Sequence, residues 1–414
     1  MKILNNSILL ICFSLLISSC IKDHCSRKVR MYIPIYKTRE AVLSDVKLLP
    51  AKAMTKPGKI FSYGNYLLIN EIDKGIHIID NSTPASPVKL GFLNIDGNLD
   101  LWVKNNLLYA DCYDNLLVLN ISDIHNIRLV ESVNKVFPDR SYIGAVIDDT
   151  KGYIIGWEQK DTTMTIDCND QVNYTPLYYS KRVAYSMDLG ISSSSGFTPP
   201  SGVAGSLTRF NATGDYLYCV GSFTLHTFNI SQQKPVKTSN LSITWDVETI
   251  YSFNNNLFIG TNSGVLIYSL SNPSSPSYLN KMEHVRTCDP VITDGQNAFV
   301  TLRGGAPCGG YSNQLDVLNV SNLQSVTLVK SYLLNSPYGL GMDLQYLYIC
   351  DDGYGIRVYN RNDVSKMVEV SKITMDHPRD IIVLDHSLLV ISDTNFIQYD
   401  ASDINNIKQI SILN

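Results

Sequence analysis

The sequence predicts an all-β fold, a β-propeller built from four-stranded blades. An apolar pair followed by a small polar residue recurs along the chain, and the small polar residues are Asp80, Asn120, Asn229, Ser269, Asn319, Asn360 and Asp400. The spacings between them, counted along the chain, are 40, 109, 40, 50, 41 and 40. A repeat with a period of this length is typical of units that contain four short strands.

The number of blades depends on the long gap between Asn120 and Asn229. Interpreted as two periods with an insertion, the gap predicts eight blades, one of them a degenerate unit near residues 140–204. Seven blades is the alternative if that interpretation of the gap is wrong. Most of the inserted residues would lie between Trp157 and about Tyr185.

Short alternating runs rich in Val, Ile, Tyr and Leu, separated by Gly, Asn, Asp, Ser and Pro, argue against helical repeats of similar length. We expect no helix after residue 57. The first unit predicts strands at 59–63, 66–71, 76–80 and 88–94. Residues 29–36 alternate like a spare strand, so residues 29–56 should pack outside the blades or help to close the ring.

The first twenty residues resemble the export signal of a bacterial lipoprotein. Met1 and Lys2 precede an apolar run at 8–17, which is too short to span a membrane as a helix. Ile17-Ser18-Ser19-Cys20 resembles a lipobox. The resemblance implies removal of residues 1–19, acylation (palmitate, for example) of Cys20, a tether over 20–56 and a propeller over 57–414. A plain secretory signal is the alternative.

Other segments resemble the LVIVD repeat. They are residues 68–84, residues 272–276 and Ser402-Asp403. The resemblance covers roughly residues 57–414 and implies a β-propeller in a bacterial lipoprotein of the Bacteroidetes type. It implies a place in the cell envelope, at the outer membrane, with the leaflet left open, and it carries no settled activity.

Composition limits the partners. Charged residues make up 17% of the chain, and 34 Lys and Arg against 38 Asp and Glu give a net charge of −4. This balance argues against nucleic acid as a partner and against a charged disordered chain. We expect a monomer held at the membrane by its lipid, with an envelope protein or a glycan as ligand and no cofactor.

Charged residues stand at the starts of several first strands, among them Lys59 and Asp100. In a propeller these positions ring the channel mouth, on the face that also carries the inserted segment at 303–311. They form a polar funnel for a ligand, or they neutralise one another. The candidate ligand-binding residues are Arg209, Glu248, His284, Arg286, Asp289, Arg303, His377, Arg379 and Asp380. His284 and His377 occupy equivalent positions, but no third ligand is evident, so no metal site is predicted.

Two cysteines lie close together in the predicted topology. Cys288 begins a first strand and Cys308 lies in the glycine-rich segment of the same blade, so an exported protein could join them in a disulfide. Two separate thiols are the alternative. Cys219 and Cys350 lie in second strands and are expected in the core.

No motif of a known catalytic class occurs. The sequence lacks Gly-x-Ser-x-Gly, His-Glu-x-x-His and a phosphate-binding loop. This favours a non-catalytic binding or scaffold module over an enzyme. The alternative is a hydrolase or lyase with a polar site at the channel mouth, which a carboxylate, an arginine and a histidine meeting around one cavity would favour.

Overall fold

The computed structural model describes residues 24–140, 148–167, 191–193, 203–205, 209–221, 223–244, 247–261, 264–282, 291–304 and 312–414. The chain divides into two compact units, one of Met1–Tyr36 with Tyr142–Ser180 and one of Lys37–Ser141 with Lys181–Asn414. Among the described residues, no helix is long and apolar enough to cross a membrane.

The smaller unit contains a two-stranded sheet formed by β1 (His24–Lys37) and β11 (Tyr153–Asp167), with a 3₁₀ turn at Asp149–Lys151. The spare strand predicted at 29–36 therefore exists, but its partner is β11 and not a blade. Tyr36 accepts a hydrogen bond from the backbone N–H of Asp148 at 3.3 Å.

The larger unit contains seven antiparallel blades among its described residues: six are separate four-stranded sheets, and one is the four-stranded part of a seven-stranded sheet. Blades 1 to 3 comprise β3 (Pro57–Tyr63), β4 (Tyr66–Glu71), β5 (Gly75–Asp80) and β6 (Val88–Asn94); β7 (Leu101–Lys104), β8 (Leu107–Cys112), β9 (Asn115–Asn120) and β10 (Arg128–Val133); and β14 (Phe210–Thr213), β15 (Tyr216–Val220), β16 (Thr224–Asn229) and β17 (Val236–Ser242).

Blades 4 to 7 follow the same plan. They comprise β18 (Val247–Phe253), β19 (Asn256–Thr261), β20 (Gly264–Ser269) and β21 (Ser277–Met282); β22 (Val291–Thr293), β23 (Asn297–Leu302), β24 (Gln314–Asn319) and β25 (Thr327–Leu333); β26 (Pro337–Met342), β27 (Tyr346–Asp351), β28 (Gly355–Asn360) and β29 (Val368–Ile373); and β30 (Pro378–Leu384), β31 (Ser387–Ser392), β32 (Phe396–Asp400) and β33 (Lys408–Leu413).

The prediction of eight blades was therefore wrong, and seven is the count in the described chain. The long gap contributes β11, β12 (Ile191–Ser193) and β13 (Val203–Gly205), and none of them belongs to a separate four-stranded sheet. The gap is one blade period with a long insertion. Because this insertion is longer than one blade period, its length alone does not distinguish it from a degenerate blade.

One local turn explains the repeat itself. The small polar residue that ends each third strand accepts a hydrogen bond from the backbone N–H two residues later, at 2.8–3.2 Å. The acceptors are Asp80, Asn120, Asn229, Ser269, Asn319, Asn360 and Asp400. Asp, Asn and Ser make this turn because their short side chains reach their own backbone. Each turn marks one blade.

The ring closes by side-chain packing between blades 1 and 7, because each blade is made from one contiguous stretch of chain. Ile60, Leu67 and Ile69 of blade 1 pack against Ile391 and Phe396 of blade 7. Gln398 of blade 7 exchanges two hydrogen bonds with Asn81 of blade 1, at 2.8 and 3.1 Å. Similar apolar clusters join other neighbouring blades.

Added strands extend blade 1 at both edges. The outer strand β6 pairs with β2 (Lys47–Leu49), which follows the helix α1 (Arg39–Ser44), so part of the segment 29–56 does pack outside a blade. The inner strand β3 pairs with β13, and β13 pairs with β12. The backbone of β12 lies against β18, β22, β26 and β30, the first strands of four other blades, so this hairpin lies inside the ring.

Candidate functional site

The upper face is the side of the ring that carries the turns between second and third strands and the connections from one blade to the next. Three blades build this face in the same way, with an acidic residue as the last or next-to-last residue of the second strand. Each carboxylate accepts backbone N–H groups from the segment that leads into the first strand. Glu71 accepts from Thr55 and Lys56, Asp111 from Leu99 and Asp100, and Asp351 from Asn335 and Ser336.

These three carboxylates are not among the candidates taken from the sequence, although the sequence carries a signal for them. Each is the last or next-to-last residue of a largely apolar second strand, as in Tyr66–Glu71 and Tyr346–Asp351. A buried acid at the end of an apolar strand needs donors, and the backbone of the neighbouring connection supplies them. Hydrogen bonds from His77, Thr55 and Lys56 outweigh burial, so the pKa of Glu71 falls to about 2.

The charged residues at the starts of the first strands of blades 1 to 3 neutralise one another. Lys59 Nζ forms a fully buried ion pair with Asp100. The second oxygen of Asp100 accepts the backbone N–H of Arg209 at 2.6 Å, and the Arg209 guanidinium lies 3.5 Å from Asp111. Burial nevertheless raises the pKa of Asp100, and it raises that of Asp111 to about 6. On this side of the ring the charges hold adjacent blades together.

On blades 6 and 7, Arg379 is the centre of a second group of charged residues on the upper face. Its guanidinium donates to Asp393 at 2.5 and 3.1 Å and to Asp352 at 3.0 Å. Asp352 also contacts His377 Nδ1 at 2.9 Å, so one carboxylate bridges a histidine and an arginine. Burial disfavours the charge of Arg379, but the hydrogen bonds to Asp393 outweigh it and raise the pKa of the guanidinium.

Arg303 lies in the same cluster. Its guanidinium carbon lies 3.8 Å from the ring centroid of Tyr338, and that of Arg379 lies 4.2 Å from the same centroid. Arg303 follows β23 of blade 5, Tyr338 lies in β26 of blade 6, and Arg379 lies in β30 of blade 7. Two guanidinium groups from different blades therefore stack on one tyrosine, an arrangement favoured by the ring's negative face.

A cavity of about 440 Å³ lies beside Arg379, between blades 1 and 7. Asp380 lines it and is only 3% exposed. One carboxyl oxygen accepts the backbone N–H of Ile381 at 2.9 Å, and the other has no hydrogen-bond partner among the described residues. Burial raises the pKa of Asp380 well above that of an ordinary carboxyl. Gly339 makes room for this carboxyl, since a Cβ there would overlap Asp380 Oδ1.

The remaining candidates have different positions. Glu248 lies on β18, with its side chain outside the description, and His284, Arg286, Asp289, Cys288 and Cys308 lie outside the described residues. Cys219 and Cys350 are buried free thiols. In the described part of the chain, no three His, Cys, Asp or Glu residues are placed to hold a metal ion.

Comparisons with known proteins concern the fold alone. No family model matches the chain, and no curated protein matches it. A solved protein from Lactobacillus plantarum is 14% identical, with a TM-score of 0.51 over 84% of this chain and 97% of that one. The computationally designed Ika8 protein is 9% identical, with a TM-score of 0.50 over 87% and 88%. Sqt1 of Saccharomyces cerevisiae is 9% identical, with a TM-score of 0.50 over 92% and 87%.

Proposed function

We propose that this protein is a lipid-anchored β-propeller of the bacterial cell envelope, of the LVIVD-repeat type, that binds a protein or glycan ligand through its upper face. The lipobox-like sequence before Cys20 supports the anchor, and the resemblance to the LVIVD repeat supports the outer-membrane location. Acyl chains hold a folded domain at a membrane surface without a spanning helix. In this proposal the anchored propeller presents its upper face to a ligand in the cell envelope.

The cluster around Arg379 is the observation that carries the binding proposal. Its partner Asp393 is 51% exposed and His377 is 60% exposed, and a cavity adjoins it. The charged residues Lys59 and Asp100 on blades 1 and 2 differ from this cluster in their exposure. They are buried in a direct ion pair that joins the two blades. An accessible set of charged groups and an aromatic ring beside a cavity is suited to recognition.

The test uses Arg303→Ala, because Arg303 is partly exposed and stacks on Tyr338. The full-length protein in detergent is immobilised and exposed to solubilised envelope proteins and to released envelope glycans. We expect the variant to lose a ligand that the wild type retains. The matched control is Lys104→Ala, which removes a lysine paired with Asp215 at 2.6 Å near the turn between first and second strands, on the opposite face. Equal retention by both variants would refute the proposed face.

A second candidate function is an enzyme, a hydrolase or lyase with its site on the same face. The observation that favours it is Asp352, which joins His377 and Arg379 at 2.9 and 3.0 Å. A carboxylate that orients an imidazole is a common element of acid–base catalysis. His377 is absent from the cavity lining, which favours binding over catalysis. Turnover of a glycoside, ester or polyuronate panel that disappears in His377→Gln would establish the enzyme.

A further inference from the structure

The cavity between blades 1 and 7 is a polar site that adjoins the ion pair of Arg379 with Asp393. Its lining combines three hydroxyl side chains, an apolar wall and a buried carboxyl group. The residues are Thr55, Lys56, Pro57, Gly58, Ile72, Arg379, Asp380, Ile391, Ser392, Asp393 and Thr394. A volume of about 440 Å³ falls within the range of small-ligand sites.

The buried carboxyl group is the strongest feature of this cavity. Asp380 is almost fully buried, yet one of its oxygens has no hydrogen-bond partner among the described residues. A buried polar atom without a partner costs free energy, so native proteins usually satisfy it with a neighbour, water or ligand. Asp380 lines the cavity, so a ligand there can supply the missing hydrogen bond.

The charges around the cavity favour an uncharged ligand. Arg379 is neutralised by Asp352 and Asp393 together, so it offers little attraction to an anion. Lys56 adds one positive charge to the wall, which leaves two cations against those two carboxylates. Burial raises the pKa of Asp380 well above that of an ordinary carboxyl, which favours the neutral form, and a neutral carboxyl offers both an O–H donor and an acceptor.

The shape of the lining favours a ligand with one polar and one apolar side. Pro57 and Ile72 supply apolar contact, while Thr55 and Thr394 bring hydroxyl groups. A sugar ring presents C–H groups and hydroxyl groups together and carries no charge. We infer that this cavity binds an uncharged sugar residue at the end of a glycan, with Asp380 as a buried hydrogen-bonding group. The inference rests on the proposed binding function and narrows its ligand class.

The carboxyl of Glu71 positions one wall of the cavity. It accepts the backbone N–H groups of Thr55 and Lys56 at 2.8–3.2 Å, and both residues line the site. The wall is therefore fixed from within blade 1, while blade 7 supplies Asp380. A site made from two rigid blades is pre-organised, which lowers the entropic cost of binding.

The test is a glycan array printed with neutral, sulfated, sialylated and amino-sugar oligosaccharides, with the full-length protein in detergent as the probe. The affinity of each hit is then measured by calorimetry. We expect binding to neutral glycans. Asp380→Leu keeps the number and branching of the side-chain heavy atoms but removes the hydrogen bonds, so affinity should fall roughly tenfold or more. Asp380→Asn keeps a donor and an acceptor and should stay within about threefold of the wild type.

Two further variants keep the result interpretable. Thr394→Trp places a bulky side chain at an exposed position on the cavity lining and should block binding even if Asp380→Leu fails to fold. Gln233→Ala alters a separate cavity of about 310 Å³, on the opposite face, and should change nothing. Melting curves show whether each variant is folded.

The outcomes separate this inference from the proposed function. Exclusive binding of charged glycans, or neutral-glycan binding that survives Asp380→Leu and Thr394→Trp, overturns the inferred site while the binding function stands. Capture of an envelope protein that depends on Arg303, with no glycan bound, does the same. Absence of any ligand in both experiments overturns both proposals.

Discussion

Replacing Asp380 with Asn should stabilise the protein increasingly as the pH rises. The carboxyl is fully buried, and burial raises its pKa well above that of an ordinary carboxyl, against the opposing attraction of Lys59. A group with a raised pKa in the folded state binds its proton more tightly there than in the unfolded state. Its contribution to stability is therefore present at low pH and is lost as the pH rises towards the folded-state pKa.

The size of the effect follows from one proton. For each pH unit between the ordinary and the raised pKa, the wild type should lose about 1.4 kcal/mol relative to the Asn variant, which does not titrate. Asn also preserves the shape of the site, and its carbonyl oxygen can accept the N–H of Ile381 as Asp380 does at 2.9 Å. Lys59, whose charge acts on the carboxyl of Asp380, is unchanged.

The assay is urea denaturation of both proteins at several pH values from 3 to 8. The difference between them should be near zero below the ordinary pKa of Asp and then grow with that slope. Asp393→Asn is the matched control, because Asp393 is 51% exposed and its ion pair with Arg379 is worth about 0–1 kcal/mol. Parallel pH profiles for wild type and Asp380→Asn would show that Asp380 is ionised in the folded protein, and the argument for a neutral carboxyl would fail.

Three other variants test separate parts of the structure. Cys20→Ser should release the protein from membranes and leave its melting temperature unchanged; continued membrane fractionation would refute the lipid anchor. Glu71→Gln should cost about 3 kcal/mol at pH 7, because the pKa of Glu71 is lowered to about 2, and this cost should shrink as the pH falls from about 4.5 towards 2. Arg303→Ala should leave stability within roughly 0.5 kcal/mol if Arg303 serves a ligand, whereas a loss above about 1 kcal/mol with binding intact would show a purely structural role.

The sequence predicted the propeller because its repeats are local. The polar residue after each third strand forms a turn with the backbone two residues later, so the signal needs no distant contact. The strands at 66–71 and 88–94 were predicted with the bounds that the structure has. The predicted number of blades was wrong because it was taken from the length of the gap and not from the number of turns. Asn120 and Asn229 end the third strands of consecutive complete blades, and counting the turns gives seven.

The strand that pairs with β1 could not be predicted from the sequence, for a different reason. Residues 29–36 alternate as a strand does, and alternation predicts strand structure without naming a neighbour. The pairing of β1 with β11 is a contact between residues more than a hundred positions apart, and β11 lies in a segment with no repeat pattern. The three carboxylates that cap the blade connections lie at the ends of second strands, whereas the charged candidates taken from the sequence stand at the starts of first strands.

Composition and spacing do not determine which neighbours surround a charged residue at the start of a first strand. Asp380 and Asp100 both stand at the start of an inner strand and look alike in sequence, yet Asp380 lines a cavity while Asp100 is buried in an ion pair with Lys59. Lys59 lies between them on blade 1, and its ammonium group pairs with Asp100, while its attraction to Asp380 acts without a hydrogen bond.

On the other side of Asp380, blade 6 offers Gly339 at the corresponding position, which carries no side chain. One cation therefore serves two acids, and the acid next to the glycine keeps an oxygen without a partner among the described residues. Substituting a donor for Gly339 is excluded because a Cβ there would overlap the carboxyl. At that position blade 6 thus has no side chain that could satisfy Asp380, which is the physical reason to look for the missing hydrogen bond in a ligand.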